Sequence, residues 1–344
     1  MFILVSLVLL WLLVGVWKTS SSQWYVMPFS TNATLPLRGI LALMIVFHHF
    51  PVFFPRDYAY INVADGWGGS ICSLFFLFSG YGVTKSYVAK GDAYIKGFLS
   101  KRLPKIVIPA SIVLGGHILV RFIIGGGDLG LLVSDISNIL SVLSHYWFIY
   151  TLFIFYFVFY LSFRFFRNAV YGTLVVCVAA IIYYYVTKEV LRYSENWWNS
   201  IHGIAIGSII ANIEPKVKPW LENNKTMYRH FVSVIILIVC TYNIIGCYLF
   251  FLPAWGTVFF FLLPFFVYVC NSFIQIPTSA VFCWMGKISL EIYLVHVSVM
   301  LCCRYYISNI HLCLVMTFIL TLTLATFLNK IAYAIDKYYH QKTW

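Results

Sequence analysis

Charge is what this chain has least of. Only 10% of its 344 residues are Asp, Glu, Lys or Arg, and just 11 are acidic. A soluble domain of this length covers its surface with far more, so a water-exposed globule is excluded. Nor is there a C-x-x-C pair: the nine cysteines lie almost wholly within apolar runs. That argues against a disulfide scaffold or a zinc site and reads as small apolar packing residues. Internal repeats, paired broken helices and low-complexity linkers are missing too, which weighs against a repeat-built secondary transporter. The Gly125-Gly126-Gly127 run has neither the lysine nor the strand–helix setting of a phosphate loop.

What fills the space instead is hydrocarbon. Hydrophobic residues make up 62% and aromatics 19% of the chain. Their runs are continuous rather than alternating, which excludes a β-barrel and predicts membrane-spanning helices. The expected fold is all-α, a polytopic transmembrane bundle of about 10 core spans plus one extra N-terminal helix. The runs fall at 1–17, 36–54, 69–87, 105–124, 146–166, 169–187, 198–213, 231–251, 254–272, 283–303 and 311–334. Residues 1–35 then form an anchor and linker, 36–334 the core and 335–344 a tail.

The formal charge of +12 does not point to nucleic acid. With the first loop placed in the cytoplasm, eighteen of the 23 Lys and Arg fall on that side and five on the other. This is the positive-inside pattern, and it puts the N-terminus outside and the C-terminus in the cytoplasm. The first run has no basic flank ahead of it and Lys18 behind it, so it reads as a retained anchor rather than a cleaved signal.

Four segments carry candidate chemistry. In LPLRGILALMIVFHHFP (35–51), Arg38 and His49 are eleven residues apart. At 100° per residue they lie about 20° apart on one helix stripe, roughly 16 Å from end to end. His48 falls about 80° to the other side. Ionisable groups inside a span face a bundle interior, and imidazole exchanges a proton near neutral pH, so His49 is the candidate base. A histidine merely resting at the membrane interface is the plainer alternative.

The second segment is LFFLFSGYGV (74–83), where Ser79, Gly80 and Tyr81 interrupt a phenylalanine run. Small residues there allow close helix packing or passage of a ligand chain. In the third, Lys96, Lys101, Arg102 and Lys105 crowd a cytoplasmic mouth, as topology markers or as an anion site. The fourth is GKISLEIYLVHV (286–297). Lys287 and Glu291 are spaced to pair on one helix face, and Tyr293 and His296 form a further polar stripe.

In this order, these segments resemble acyltransferase family 3, the integral-membrane O-acyltransferases. Arg38, Gly39 and His49 match its arginine-glycine followed by histidine. Phe75, Phe76, Ser79 and Gly80 match Phe-Phe-x-x-Ser-Gly. Lys101, Arg102 and Pro109 fit its basic element with one arginine replaced by lysine, and Trp147-Phe148-Ile149 is similar to its Trp-Phe-Leu. Gly286, Ser289, Tyr293, Leu294 and His296 match the late motif, with Leu290 in place of tyrosine. The resemblance covers about residues 36–334 and departs from the family's ten spans by the added helix 1–17. The expected form is the stand-alone transmembrane one, without the esterase-like domain that some members carry.

The resemblance implies a bacterial inner-membrane enzyme. It would move an acyl group, most often acetyl, from cytoplasmic acyl-CoA to a hydroxyl of a surface glycan or lipid-linked sugar. His49 would act as general base and Glu291 would assist it. Arg38, Lys101, Arg102, Lys105, Ser79 and Tyr81 would hold the donor. Trp147, Tyr293 and His296 would face the acceptor, with Trp197 and Trp198 as further outer aromatics. No metal and no nucleic acid are expected; membrane lipid surrounds the chain, and self-association stays open. A lipid-linked glycan translocator without acyl-transfer chemistry, or a non-catalytic assembly subunit, would share the basic mouth and aromatic exterior.

Overall fold

The computed structural model describes residues 29–54, 66–130, 133–134, 146–249 and 279–342, with Val14 and Val267 as isolated positions. The described residues are helical, without strands. The helices are α1 (Thr31–Phe53), α2 (Gly68–Lys90), α3 (Asp92–Lys96), α4 (Phe98–Arg102), α5 (Pro104–Ile124) and α6 (Trp147–Phe166). They continue with α7 (Ala169–Tyr185), α8 (His202–Asn223), α9 (Lys225–Leu249), α10 (Ala280–Lys287), α11 (Ser289–Tyr306) and α12 (Ile310–Lys342).

Among the described residues, five helical stretches are long and apolar enough to cross a membrane: Thr31–Phe53, Pro104–Ile124, Trp147–Phe166, Ala169–Val190 and Ile310–Tyr339. A sixth is counted if α10 and α11, which meet at a 77° bend, form one span. The runs expected at 1–17 and 254–272 lie outside the described residues, apart from Val14 and Val267. The chain is a membrane protein, all-helical over the described residues; the count of about ten core spans is the expectation of the sequence.

Local chemistry explains where helices begin and end. The apolar run is read from residue 36, yet the helix begins five residues earlier, at Thr31. Ser30 Oγ accepts from the Ala33 N–H, and the Thr34 hydroxyl donates to the Ser30 carbonyl, so the polar turn ahead of the proline is capped into the helix. Asn168 caps α7 by accepting from the N–H groups of Val170 and Tyr171, and Asn309 caps α12 by accepting from Leu312. Gly91 stops α2 with a positive φ of 56°, a conformation a side chain would strain. α12 has 33 residues, about 50 Å, and so outruns a hydrocarbon core of roughly 30 Å.

Two compact units share the chain. The first takes Met1–Leu37, Cys72–Asp92 and Ser162–Ser279. Within it, α2 and α8 approach through small residues: a Cβ at Gly80 would strike the Ile204 carbonyl, one at Gly203 the Ser73 carbonyl, and one at Gly207 the Leu77 carbonyl. Gly80 of the Ser-Gly-Tyr-Gly interruption therefore serves close backbone packing here. Gly207→Val forces these backbones apart, and a large fall in thermal stability measured by intrinsic tryptophan fluorescence is expected. Unchanged stability would mean that the α2–α8 crossing is not built on this contact.

The same crossing holds a buried carboxylate. Glu214 on α8 is 3% exposed. It accepts from the Tyr81 hydroxyl at 2.7 Å and pairs with the Lys85 ammonium. Nearby, Asn212 donates to the Ala169 carbonyl and to the Thr173 hydroxyl, tying α8 to α7.

The second unit takes Arg38–Ile71, Ala93–Leu161 and Ala280–Trp344. Gly39 lets α1 lie against α10, since a Cβ there would meet the Phe282 carbonyl and the Gly286 amide. The break after α10 corrects one expectation. Lys287 and Glu291 are four apart, but Ile288 leaves the helix at φ −105° and ψ 17°, and the chain turns. The i, i+4 face never forms, and Glu291 is bonded elsewhere.

Candidate active site

The second unit gathers most of the polar residues singled out in the sequence. Arg38, His48 and His49 come from α1; Arg102 from α4; Glu291, Tyr293 and His296 from α11. The two histidines of α1 diverge as the helical angle requires. His48 packs against the first residue of α2, where a Cβ on Gly68 would collide with the imidazole. His49 points to α11, its ring centroid 4.8 Å from that of His296.

The hydrogen-bond partners fix the protons. A backbone carbonyl only accepts, so a ring nitrogen held against one carries the hydrogen. His49 Nδ1 lies 2.8 Å from the Ile45 carbonyl, and His296 Nδ1 lies 2.6 Å from the Tyr293 carbonyl and 3.2 Å from that of Ile292. Both Nδ1 atoms therefore carry a hydrogen. His296 Nε2, left with its lone pair, faces His49 Nδ1 at 3.3 Å. In its neutral form His49 then has its lone pair on Nε2, the atom from which an imidazole acts as general base.

Around this pair the walls are aromatic and buried. Tyr293 is 7% exposed and His296 1%. Phe148 lies 5.3 Å from Tyr293, and Tyr293 lies 5.8 Å from His296. Trp147, expected to meet the acceptor, is buried with its ring edge-on to Phe148, while its carbonyl accepts from the Thr151 hydroxyl. Glu291 is buried, and its Oε1 accepts from Asn329 Nδ2 of α12 at 2.8 Å.

A second group stands at the start of α5. Arg102 donates to the Tyr94 hydroxyl at 3.2 Å and to Tyr156. Phe98, 1% exposed, packs edge-on between those two rings at 5.5 and 5.6 Å. Burial works against the charge of Arg102, but the phenol oxygens of Tyr156 and Tyr94 outweigh it and hold the group above the usual arginine range. Arg38 lies within electrostatic reach of both Tyr156 and Arg102. Tyr156 thus lies within electrostatic range of both guanidinium groups, while Lys101 and Lys105 are exposed. Such an arrangement suits an anion of several charges.

Ser79 and Tyr81 belong to the first unit, where Ser79 is half-buried and Tyr81 is bonded to Glu214. Sequence reasoning missed Tyr156 and Asn329, whose partners lie far away in the chain, and Tyr94, which meets Arg102 eight residues on. It also missed His117, which is buried on α5 with Nδ1 2.8 Å from the Ser298 hydroxyl.

Buried arginine, histidine and glutamate within apolar helices mark a membrane-embedded catalyst or carrier of polar groups. The comparison with known families settles which class: the description "Acyltransferase domain" matches residues 37–330. The chain belongs to acyltransferase family 3. No curated protein and no solved structure matches it.

Proposed function

We propose that this membrane acyltransferase is an O-acyltransferase. It moves an acyl group, acetyl in the first instance, from cytoplasmic acyl-CoA to a hydroxyl of a surface-glycan or lipid-linked sugar in a bacterial inner membrane. The observation that carries this reading is the proton arrangement at His49. Nδ1–H is engaged by carbonyl and imidazole acceptors, so the neutral ring offers Nε2 as its basic nitrogen.

In this reading, His49 Nε2 takes the proton of the acceptor hydroxyl as the oxygen attacks the thioester carbonyl. The thioester supplies an activated carbonyl and a thiolate leaving group. Arg102 and Arg38 fit the donor's phosphates, with Lys101 and Lys105 adding charge at the mouth. Tyr293 and Phe148 give the acceptor an apolar wall beside the base.

The test is turnover of radiolabelled acetyl-CoA by the full-length protein in nanodiscs, with simple methyl hexosides offered as acceptors. Arg102→Gln is expected to raise the KM for acetyl-CoA about tenfold or more, through loss of a charge-assisted contact to phosphate, while kcat changes little. Folded wild type that neither binds nor turns over acetyl-CoA would sink the assignment.

A further inference from the structure

The resemblance alone would place His296 among groups that touch the acceptor, but its geometry says something else. Its Nδ1–H is committed to the Tyr293 and Ile292 carbonyls one turn below. The ring can then present only an acceptor at Nε2, and that acceptor is aimed at His49 Nδ1, 3.3 Å away. His49 Nδ1–H is shared between this nitrogen and the Ile45 carbonyl. An imidazolium at position 296 would turn Nε2–H toward His49 Nδ1. It would force the bare face of that nitrogen against the Ile45 oxygen, and this is electrostatically unfavourable.

We infer that His296 is a positioning residue, the neutral second acceptor that steadies His49 while His49 takes up a proton. The inference rests on His49 being the base. When Nε2 of His49 gains the acceptor's proton, the ring becomes a cation and its Nδ1–H a stronger donor. In serine hydrolases a carboxylate receives that bond and stabilises the imidazolium. Here a second imidazole receives it, with its own tautomer locked by main-chain carbonyls of its helix. The developing charge is spread over two rings and the three carbonyls they engage.

The test compares His296→Leu, His296→Gln and His49→Ala in full-length protein in nanodiscs, with acetyl-CoA and methyl hexosides as probes. The glutamine amide oxygen reaches about where imidazole Nε2 sits and accepts the same hydrogen; leucine cannot. His296→Leu is expected to lower kcat about 10- to 100-fold, the range for losing a hydrogen bond to a charged group. Its KM for acetyl-CoA stays within about twofold of wild type, and His296→Gln recovers most of kcat. Leucine at wild-type kcat, or glutamine as poor as leucine in a folded protein, overturns the role. Retained turnover in His49→Ala instead overturns the base itself. Independently of activity and of any variant's folding, ¹⁵N spectra of wild type should show a bare, pyridine-type Nε2 at His296. A protonated Nε2 there refutes the inference.

Discussion

His49→Ala is expected to lower acyl transfer about 10²- to 10⁴-fold, the usual contribution of a positioned general base. Binding of acetyl-CoA, measured by equilibrium dialysis, should be unchanged, because the arginines at the start of α5 do not depend on the imidazole. His48→Ala is the matching control. That ring sits against Gly68 rather than His296, so its loss should stay well short of the 10²-fold floor. Equal damage in both variants would mean that the two-histidine segment matters for packing, and the proton arrangement at Nε2 would lose its chemical meaning. Recovery of the His49→Ala enzyme by added imidazole would strengthen the assignment.

The second large effect is on stability, in the first unit. Lys85→Met leaves the Glu214 carboxylate buried without its cation; the side chains of Lys85 and Glu214 are 30% and 2% exposed. Breaking a buried pair from one side costs about 3 kcal/mol or more, because the stranded charge cannot be hydrated. The Tyr81 hydroxyl still donates to it, which places the loss at the lower end. A drop of several degrees in melting temperature is expected by tryptophan fluorescence. Lys85→Met combined with Glu214→Gln should recover most of it, since a neutral amide keeps the tyrosine bond without the charge. If the single variant melts like wild type, the pair contributes nothing and Glu214 is reached by water.

Much of this was legible in the chain because hydropathy and helical angle are local. The run at 105–124 became α5 (Pro104–Ile124) to within a residue, and the 100° rule alone separates the face of His49 from that of His48. What stayed hidden depends on partners remote in sequence. Nothing near His49 announces His296, which lies 247 positions away. Tyr156 looks like an ordinary aromatic until the fold brings Arg102 to it. The Lys287–Glu291 pairing failed for a related reason. Four-residue spacing predicts contact only along an unbroken helix, and an average over twenty residues cannot register a turn at one of them.

The turn at Ile288 also decides which changes in length this region tolerates. One residue added within α10 displaces only that short helix against Gly39, and the bend absorbs the error before it reaches Glu291. One residue added between Ser289 and His296 swings the imidazole about 100° around α11 and carries it out of reach of His49. The break acts as a phase insulator. Drift in the sequence on one side of it leaves the angular setting of the proton-handling side intact.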